Sequence, residues 1–578
     1  MLASTVPDAR RFVSAGLGRA PTGVGVIRPF LAPPAQPDLS PVVFGVADPD
    51  APRASSEPDD SEERQALARL ERRLRDEELW WPQPRPDARR VRVLMAAPDT
   101  LADLPARFAA AASFWGRDAI AVLAPSGRSA TVRAAAPQGV MIVDGASQVA
   151  ADTLEAVCAP PHADIAVWAG LGGRAVYSWE AQNADVEWRP SIDRGPPLAQ
   201  ARFVDPWRGC EIDADAAGDA LAFFADAARR NRKRAVCVGF SSWRQACAAP
   251  FLSGPAGAPR NAGTIAAALS ALDPTVERLA LWSVAERETA AARAAGIETI
   301  HLEDGFLRSV GLGLQNEKPA SLALSALAPY FCADRPTDLE ALGLETVFDD
   351  ALLARARALR AEILARRLTK YNLVTEESLP EAAGREKVLV PGQVEGDASL
   401  RYGAPEIATN AALLARARER HPDAFLIYKP HPDVLTGLRA GAVPEAQLAR
   451  DADHVAIRAS AATCLDWADR VETMTSLMGF EALLRGKTVA THGAPFYAGW
   501  GLTEDLIDRD RGRRLSLDEL VALALILHPA YVDWKTGQPA PVEVILDRLE
   551  QARREGATLL GRLRTARNKA RSWVMNRF

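Results

Sequence analysis

Two adjacent acids end an apolar segment of this sequence, IHLEDGFLRSVGLG at residues 300–313. Glu303 and Asp304 are followed by a glycine-containing turn and by Arg308. A carboxylate in such a position can serve as nucleophile or base at the anomeric carbon of a sugar. Because side chains alternate across a strand, only one of the two acids can point squarely into a cleft. Two roles for Arg308 stay open: it neutralises one acid, or it binds an acidic substrate through its planar fork.

A second group of polar residues follows the predicted strand KVLV, in the sequence PGQVEGDASLRYG. Its glycines, Gly392 and Gly396, allow a ligand to approach the backbone closely. The donors and acceptors around them are Gln393, Glu395, Asp397, Ser399 and Arg401. An ordinary exposed loop would be polar, but the density of these side chains favours a binding loop.

A rigid cationic pair follows another predicted strand, in YKPHPDV at residues 428–434. Lys429 and His431 alternate with Pro430 and Pro432. The prolines stiffen this loop, so its cations can bind a phosphate with little loss of conformational entropy. We therefore predict that Lys429, His431 and Pro432 contact the phosphate of a substrate.

The segment VETMTSLMGFEALLRG predicts a strand that is followed at once by a helix. Thr475 and Ser476 lie at the N-terminus of this helix, where free N–H groups and hydroxyls favour an anion. Simple capping of the helix by one of these hydroxyls is the alternative. Glu481, about one turn into the helix, is placed to accept a hydrogen bond from a ribose.

All these groups follow predicted strands that alternate with helices, a pattern typical of parallel βαβ units in a doubly wound α/β sheet. Ligands of such sheets gather at the carboxyl ends of the strands. The pattern runs through residues 203–385 and again through residues 386–550, with a long arginine-rich helix between the two series. We predict two Rossmann-like domains facing a cleft, the GT-B architecture of glycosyltransferases, with the acids in the first domain and the phosphate groups in the second.

The N-terminal third of the chain has a different character. Residues 1–75 are rich in Pro, Ala, Asp and Ser, which predicts a largely disordered extension and the start of a helix. Residues 76–202 show a weaker alternation, which predicts a small α/β unit. FVDPWRGCEIDADAAGDAL at residues 203–221 resembles YVDWKTGQPAPVEVILDRL at residues 531–549. The N-terminal unit is therefore either unrelated or a degenerate copy of the later module.

Composition excludes several classes of protein. The formal net charge of -5 argues against nucleic-acid binding. The six cysteines form no CxxC pair and predict buried thiols rather than disulfides. P-loop and GxGxxG sequences are absent, which disfavours ATPases and nicotinamide enzymes. The Asp-x-Asp pairs lack supporting histidines, so we predict no metal site and no cofactor. Without a signal sequence or an apolar span, the predicted location is the cytoplasm.

Five of the segments, HLEDGFLRSVGLG, PGQVEGDASLRYG, YKPHPDV, ETMTSLMGFEALLRGKTV and GAPFYAGWGLTEDL, resemble the capsular polysaccharide β-Kdo glycosyltransferases of the KpsC type. The resemblance covers about residues 203–550 and keeps the motifs in the order of that family. It implies a GT-B enzyme that uses CMP-Kdo, retains anomeric configuration and builds the Kdo linker on a phosphatidylglycerol-type lipid at the cytoplasmic face of the inner membrane.

The resemblance also implies roles for individual residues. Asp304 corresponds to the family's catalytic aspartate, thought to be the nucleophile that forms a Kdo adduct. Glu303 and Arg308 share its motif, and Gln393 matches the glutamine of the second motif. The predicted CMP-Kdo site comprises Gly392, Asp397, Ser399, Lys429, His431, Pro432, Thr475, Ser476 and Glu481. The carboxylate of Kdo would give Arg308 or Arg401 a binding partner.

The chain departs from the family upstream of this region, since members often carry two complete modules and only one is complete here. Residues 551–578 form a basic amphipathic tail that predicts either peripheral binding to anionic lipid or a solvated end. The predicted partners are a nucleotide-sugar donor, a glycolipid acceptor and capsule-assembly proteins. Two alternatives remain: an enzyme acting on another nucleotide sugar, such as an epimerase, and a non-catalytic scaffold.

Overall fold

The computed structural model describes residues 201–556 apart from 255, 311–317, 373–376, 436 and 438, and earlier in the chain 26–27, 44–46, 61–76, 92–98, 100–124, 129–144, 156–158 and 175–177. The chain divides into two compact units. The first contains residues 1–235, with 252–259 and 536–538, and the second contains residues 236–251, 260–535 and 539–578.

The strands of the first unit form two sheets. In chain order they are β1 Val26–Ile27, β2 Phe44–Val46, β3 Val93–Ala96, β4 Ile120–Ala124, β5 Met141–Asp144, β6 Ala156–Cys158, β7 Ala175–Tyr177, β8 Ala201–Val204 and β9 Glu211–Ile212. The order β1-β2-β8-β9 gives an antiparallel sheet. The order β5-β4-β3-β6-β7 gives a parallel sheet. Its helices are α1 Ser61–Asp76, α2 Leu104–Trp115, α3 Ser129–Ala135 and α4 Ala214–Arg230.

Two further sheets build the second unit. Their strands are β10 Arg234–Val238, β11 Arg260–Ala262, β12 Glu277–Trp282, β13 Thr299–Asp304, β14 Ser321–Ser325, β15 Lys387–Pro391, β16 Phe425–Lys429, β17 His454–Val455, β18 Arg470–Thr473, β19 Thr488–Thr491, β20 Glu504–Asp505, β21 Pro529–Asp533 and β22 Gln538–Pro539. The seven-stranded order is β11-β10-β12-β13-β14-β21-β22, and the six-stranded order is β17-β16-β15-β18-β19-β20.

Helices connect these strands along the chain. They are α5 Ser242–Leu252, α6 Ile265–Ala271, α7 Glu286–Ala294, α8 Asp338–Glu345, α9 Asp350–Ala365, α10 Ala398–Gly403, α11 Asn410–Arg420, α12 Pro432–Leu435, α13 Glu445–Asp451, α14 Ala461–Trp467, α15 Leu477–Leu484, α16 Leu517–Val521 and α17 Val542–Gly556. We call the seven-stranded sheet with its helices the mixed-sheet lobe, and the six-stranded sheet with its helices the parallel-sheet lobe.

The direction of the strands differs between the lobes. Every pairing in the six-stranded sheet is parallel. In the mixed-sheet lobe β12 and β13 run parallel, but β14 pairs antiparallel with both β13 and β21. The central residues of β15 (Val388, Leu389 and Val390) are fully buried, as expected for a parallel sheet that is covered on both faces. The prediction of an α/β protein with parallel sheets is confirmed.

The structure differs from the predicted boundaries in three places. Residues 26–27 and 44–46, within the predicted disordered extension, form strands that join β8 and β9. Residues 203–235, assigned to the first predicted transferase domain, belong to the first compact unit. Strands β21 and β22, assigned to the second domain, complete the seven-stranded sheet. Each difference arises from pairing between residues distant in the chain, which periodicity does not encode.

The five-stranded sheet repeats the topology of the six-stranded sheet. In both, the third, second, first, fourth and fifth strands along the chain lie side by side in that order. The resemblance between residues 203–221 and 531–549 extends to their structure: β8, a turn, β9 and α4 correspond to β21, a turn, β22 and α17. Asp205 Oδ1 accepts from the backbone of Trp207 in the first turn, and Asp533 Oδ1 accepts from the backbone of Lys535 in the second.

Several further predictions concern the surface and the ends of the chain. Five cysteines are buried free thiols, whereas Cys210 is an exposed free thiol. Among the described residues no helix is both long and apolar enough to cross a bilayer. Helix α17 ends at Gly556, so residues 557–578 of the basic tail lie outside the described residues.

A close approach between β13 and β14 requires glycine immediately after the acidic pair. Gly305 N–H donates to the Ser321 carbonyl, and a Cβ on Gly305 would lie 2.2 Å from Ser321 Oγ and 2.6 Å from its Cβ. We therefore expect Gly305→Ala to destabilise the protein by about 1–3 kcal/mol, as overpacking does elsewhere. The midpoint of urea unfolding measures this loss.

Gly263→Ala is the matched control, because no atom lies within 4 Å of its added Cβ. We expect its urea midpoint to equal or slightly exceed that of the wild type. A Gly305→Ala protein as stable as the Gly263→Ala protein would contradict the close approach.

Candidate active site

A cavity of about 640 Å³ lies in the second unit, within the range of small-molecule sites. Its walls come from both lobes. The parallel-sheet lobe contributes the loops that follow three adjacent strands, β16, β15 and β18. The mixed-sheet lobe contributes the end of β13. The geometry is that of ligand sites at the carboxyl ends of parallel strands.

Of the two acids at the end of β13, Glu303 lines the cavity. Its Oε1 accepts a hydrogen bond of 3.0 Å from the backbone N–H of Asp304. Burial, together with the charge of Asp304, raises the pKa of the Glu303 carboxyl to about 7. A carboxyl with this pKa can give or take a proton near neutral pH.

Asp304 is held by an arginine. Arg308 Nε donates to Asp304 Oδ2 at 2.7 Å, and the Arg308 side chain is only 3% exposed while that of Asp304 is 25% exposed. Tyr330 donates from its hydroxyl to the main-chain oxygen of Asp304. Of the two roles considered for Arg308, the structure shows the pairing with an acid. Arg401, the other predicted cation, is exposed and donates to the Gly396 carbonyl.

The loop after β15 contributes Gly392, Gln393, Asp397 and Ser399 to the cavity. The amide of Gln393 is occupied at both ends: Nε2 donates to Thr475 Oγ1, and Oε1 accepts from Thr475 N–H, each at 2.9 Å. These two hydrogen bonds hold the loop after β18 against the loop after β15, and the predicted catalytic role of Gln393 stays a prediction.

Asn410 holds the backbone of the same loop by hydrogen bonds. The sequence analysis did not predict this residue. Its side chain is fully buried, its Oδ1 accepts from Gln393 N–H, and its Nδ2 donates to the carbonyls of Gln393 and Gly441. Its own N–H donates to Glu395 Oε1. Asn410 thus uses its whole amide to hold backbone, which explains a buried polar residue at the start of a helix.

Lys429 and His431 line the cavity together with Pro432, the first residue of α12. Lys429 Nζ donates to the carbonyls of Ala456 and Ile457, at 3.0 and 3.4 Å. Burial lowers the pKa of the Lys429 ammonium. Two carbonyls compensate its charge only in part, so a bound anion would stabilise the charged form.

The tautomer of His431 follows from its backbone contact. Asp433 N–H donates to His431 Nδ1 at 3.1 Å, so Nδ1 is an acceptor and the proton of the neutral ring is on Nε2. Burial lowers the pKa of His431, which keeps the ring neutral. His431 can therefore donate one hydrogen bond from Nε2 to an oxygen in the cavity.

Thr475 and Ser476 precede α15 and both line the cavity. Ser476 caps the helix, since its Oγ accepts from Met478 N–H at 3.3 Å. Tyr497 donates to the Ser476 carbonyl at 2.5 Å and fixes its backbone. Capping and anion binding are compatible here, because one hydroxyl satisfies only one of the free N–H groups of a helix N-terminus.

Glu481 also lines the cavity, but its carboxylate is engaged by backbone. Its Oε1 accepts a 2.8 Å hydrogen bond from Lys370 N–H. The Lys370 carbonyl in turn accepts from the N–H groups of Arg308 and Ser309. Burial raises the pKa of Glu481 to about 7. The predicted hydrogen bond from a ribose would therefore use the second carboxylate oxygen of Glu481.

An aromatic cluster closes the cavity between the lobes. Phe306 of the mixed-sheet lobe stacks on Phe496 of the parallel-sheet lobe, with ring centroids 4.3 Å apart. Tyr330 meets Phe306 edge-on, and Phe480 packs against Phe496. Such pairs stabilise beyond simple burial of area. Tyr497 and Trp500 of the last motif are fully buried, so their rings serve packing.

Sequence reasoning missed the segment Thr369–Asn372, of which Thr369, Lys370 and Tyr371 line the cavity. The segment follows α9 and belongs to neither a strand nor a helix. Asn372, with φ 50°, exchanges hydrogen bonds with Thr369 and donates to the Ser309 carbonyl. The only signal in the sequence is a polar tetrapeptide, TKYN, after a helix end.

The described residues offer no group of three His, Cys, Asp or Glu side chains arranged to hold a metal ion. Several acids of the Asp-x-Asp pairs have other contacts. Asp213 caps α4, Asp215 pairs with Arg69, and Asp453 pairs with Arg418.

Comparisons with known proteins identify the family. A sequence model described as "Capsule polysaccharide biosynthesis protein" matches residues 282–521, which include both walls of the cavity. The capsule polysaccharide modification protein LipA of Neisseria meningitidis serogroup A / serotype 4A is 41% identical over 351 residues, 60% of this chain and 49% of LipA. The chain belongs to the capsule polysaccharide biosynthesis protein family.

Two solved structures are also similar to this chain. The β-Kdo 2,7 transferase of Thermosulfurimonas dismutans KpsC is 32% identical, covering 55% of this chain and 99% of that one, with a TM-score of 0.44. The β-Kdo 2,4 transferase of the same KpsC is 30% identical, covering 56% and 99%, with a TM-score of 0.48. The predicted KpsC-like family is confirmed. The chain spans about half the length of the curated LipA proteins it matches.

The buried Glu481 gives this capsule-family protein a defined pH dependence. Its pKa rises from 4.5 to about 7 on folding, so the folded chain keeps a proton that the unfolded chain releases. Its contribution to stability therefore falls as pH rises from about 4.5 to 7. Glu481→Gln keeps an acceptor for Lys370 N–H and has no charge. We expect the stability of this variant relative to wild type to grow by up to about 3 kcal/mol over that range.

Urea unfolding of both proteins at pH 4.5 and pH 8 measures this difference. Glu406→Gln, at an exposed position, is the control and should show no such growth. An equally small change in both variants would show that burial of Glu481 does not perturb its ionisation.

Proposed function

We propose that the second unit is a retaining glycosyltransferase that transfers Kdo from CMP-Kdo to a glycolipid acceptor in capsule synthesis. The observation that carries this proposal is one cavity lined on one side by Glu303, the neighbour of Asp304, and on the other by Lys429, His431 and Ser476, which are predicted to bind phosphate. The names of the two KpsC relatives suggest that the sugar is Kdo. The proposed chemistry follows from the predicted roles of the residues: a carboxylate that acts at the anomeric carbon, and cations and N–H groups that bind phosphate.

The proposed reaction has two displacements at C2 of Kdo. An oxygen of Asp304 forms a bond to C2 while the bond between C2 and the phosphate oxygen breaks, and CMP departs with that electron pair. An acceptor hydroxyl then attacks C2 and releases Asp304. The proton of the acceptor hydroxyl passes to a base. The carboxyl of the neighbouring Glu303 is suited to this role because its pKa is raised. Arg308 orients Asp304 through its 2.7 Å contact.

The proposed role of the opposite wall is to stabilise the departing phosphate. Lys429 supplies a charge, His431 an Nε2–H donor, and the N-terminus of α15 supplies backbone N–H groups beside Ser476. Preorganised donors of this kind stabilise charge that develops in a transition state. We propose that Gln393, Gly392, Asp397 and Ser399 shape the loop around the donor, and that Thr475 and Pro432 complete its phosphate side.

The two lobes and their shared cavity support the GT-B architecture as part of this proposal. In that architecture the donor binds one Rossmann-like domain and the acceptor binds the other, which agrees with phosphate groups on the parallel-sheet lobe. A lipid-linked acceptor and association with the inner membrane or with capsule-assembly proteins belong to the same proposal and rest on the family alone.

The carboxylate assignment predicts a covalent intermediate. After incubation with CMP-Kdo and no acceptor, the intact mass of the wild type should increase by one Kdo residue. Asp304→Asn should give no adduct, because an amide is a poor nucleophile. Glu303→Gln should still form the adduct but should transfer it slowly, since removal of a general base costs about 100-fold or more. Peptide mapping locates the adduct.

The pattern of adducts separates the alternatives. An adduct on Glu303 rather than Asp304 would exchange the roles of the two acids. Release of CMP without any adduct would keep the donor and refute the double displacement. Turnover of a UDP-sugar in place of CMP-Kdo would favour an epimerase-like enzyme, and normal capsule production by an Asp304→Asn strain would favour a scaffold.

The proposed leaving-group stabilisation uses protein cations and N–H groups and predicts independence from divalent metal. Transfer rates should be unchanged within about twofold after treatment with EDTA and after addition of Mg²⁺ or Mn²⁺. His431→Ala under the same conditions should lower the rate by about 10-fold or more, because one donor to the developing charge is lost. A rate that collapses in EDTA and returns with metal would contradict this assignment.

A further inference from the structure

We propose that Lys370 binds the carboxylate of the donor sugar, so that it selects acidic sugars of the ulosonate class. The inference rests on the proposed function, since it concerns the donor of the same cavity. An ulosonate nucleotide carries two separate anionic groups, the phosphate and the carboxylate on the anomeric carbon. Lys429, His431 and the N-terminus of α15 form the proposed phosphate wall, and they account for the phosphate only. A second cation is therefore needed near the reacting carbon.

The position of Lys370 meets this requirement. It lines the same cavity as Glu303, and its main chain is hydrogen bonded to Glu481 of the parallel-sheet lobe and to Arg308 and Ser309 of the mixed-sheet lobe. It therefore lies between the carboxylate wall and the phosphate wall. Burial opposes the charge of Lys370, but Tyr371, Tyr330 and Asp304 together raise its pKa above the ordinary value. The side chain is an ammonium ion at neutral pH.

The side chain of Lys370 is available for a ligand. Its main chain makes the hydrogen bonds to Glu481, Arg308 and Ser309, while its Nζ lies over the Tyr371 ring at 5.5 Å from the centroid. Among the described residues no carboxylate oxygen lies within 4.0 Å of that Nζ. The ammonium group therefore has room for a direct ion pair with a carboxylate of the ligand.

The other cations near the cavity are less suited to this task. Arg308 is 3% exposed, and its guanidinium donates to Asp304 and to Ser309 Oγ. Lys429 donates to two backbone carbonyls on the phosphate side. Arg458 lines the cavity beyond Lys429, in the loop after β17, and is exposed. Lys370 alone of these four combines a position near Glu303 with an uncommitted ammonium group.

The test compares two ligands that differ by the acidic sugar. Binding of CMP and of CMP-Kdo is measured by titration calorimetry without acceptor in the Asp304→Asn protein, which should form no adduct, and in the same protein with Lys370→Met or Lys429→Met added. We expect Lys370→Met to weaken CMP-Kdo by at least about tenfold and to change CMP by less than about threefold. Lys429→Met should weaken both ligands, because both contain the phosphate. Lys370→Arg should recover most of the affinity, since it restores the charge.

Other outcomes would contradict the assignment of Lys370. Equal weakening of CMP and CMP-Kdo by Lys370→Met would overturn the assignment, as would no weakening of either. In both cases a wild type that still turns over CMP-Kdo would leave the proposed function intact. A wild type that neither binds nor turns over CMP-Kdo would overturn the proposed function and this inference together.

Two controls address folding. Lys487→Met, at a partly buried position outside the cavity and added to the same protein, should bind both ligands as the Asp304→Asn protein does. If Lys370→Met does not fold, Lys370→Gln removes the charge while leaving a polar side chain, and the same comparison of CMP with CMP-Kdo applies. The hydrogen bonds to Glu481, Arg308 and Ser309 come from the main chain and are available in every variant.

Discussion

The peptide groups of Lys370 set the separation between the two walls of the cavity. Its N–H binds Glu481 in the parallel-sheet lobe, and its carbonyl binds the N–H groups of Arg308 and Ser309 in the mixed-sheet lobe. Arg308 continues the connection to Asp304. A displacement of this main chain would move the acids relative to Lys429 and His431. A buried carboxylate such as Glu481 would also lose a hydrogen bond that it cannot replace with water.

Burial disfavours the charged forms of several groups that line the cavity. On one wall burial raises the pKa of Glu303, and on the other it lowers the pKa of Lys429 and His431. Each shift favours the neutral form of the group. A dianionic phosphate would reverse the balance for Lys429, because a nearby negative charge restores the ammonium. Ligand binding and proton binding are therefore coupled across this site.

Much of this site could be predicted from the sequence, because ligands of α/β sheets lie at strand ends and strand ends are visible in hydrophobic patterns. Lys429, His431 and Ser476, predicted in that way, line the cavity. Gln393 lines it too, but its hydrogen bonds to Thr475 could not be predicted, because Thr475 lies 82 positions further along the chain. Lys370 could not be predicted, since it follows no strand. Glu481, which accepts the hydrogen bond from its N–H, is 111 positions away. The return of β21 to the first sheet was hidden for the same reason.

The shared strand order of the five-stranded and six-stranded sheets has a consequence for ancestry. We interpret the five-stranded sheet as a duplicate of the scaffold of the six-stranded sheet. At the end of β4 the sequence reads Ala124-Pro125-Ser126, where β16 is followed by Lys429-Pro430-His431. After duplication, selection for a buried core preserves the order of strands, whereas loops without a ligand are free to drift. The order of the strands then records common ancestry after the sequences of the loops have diverged.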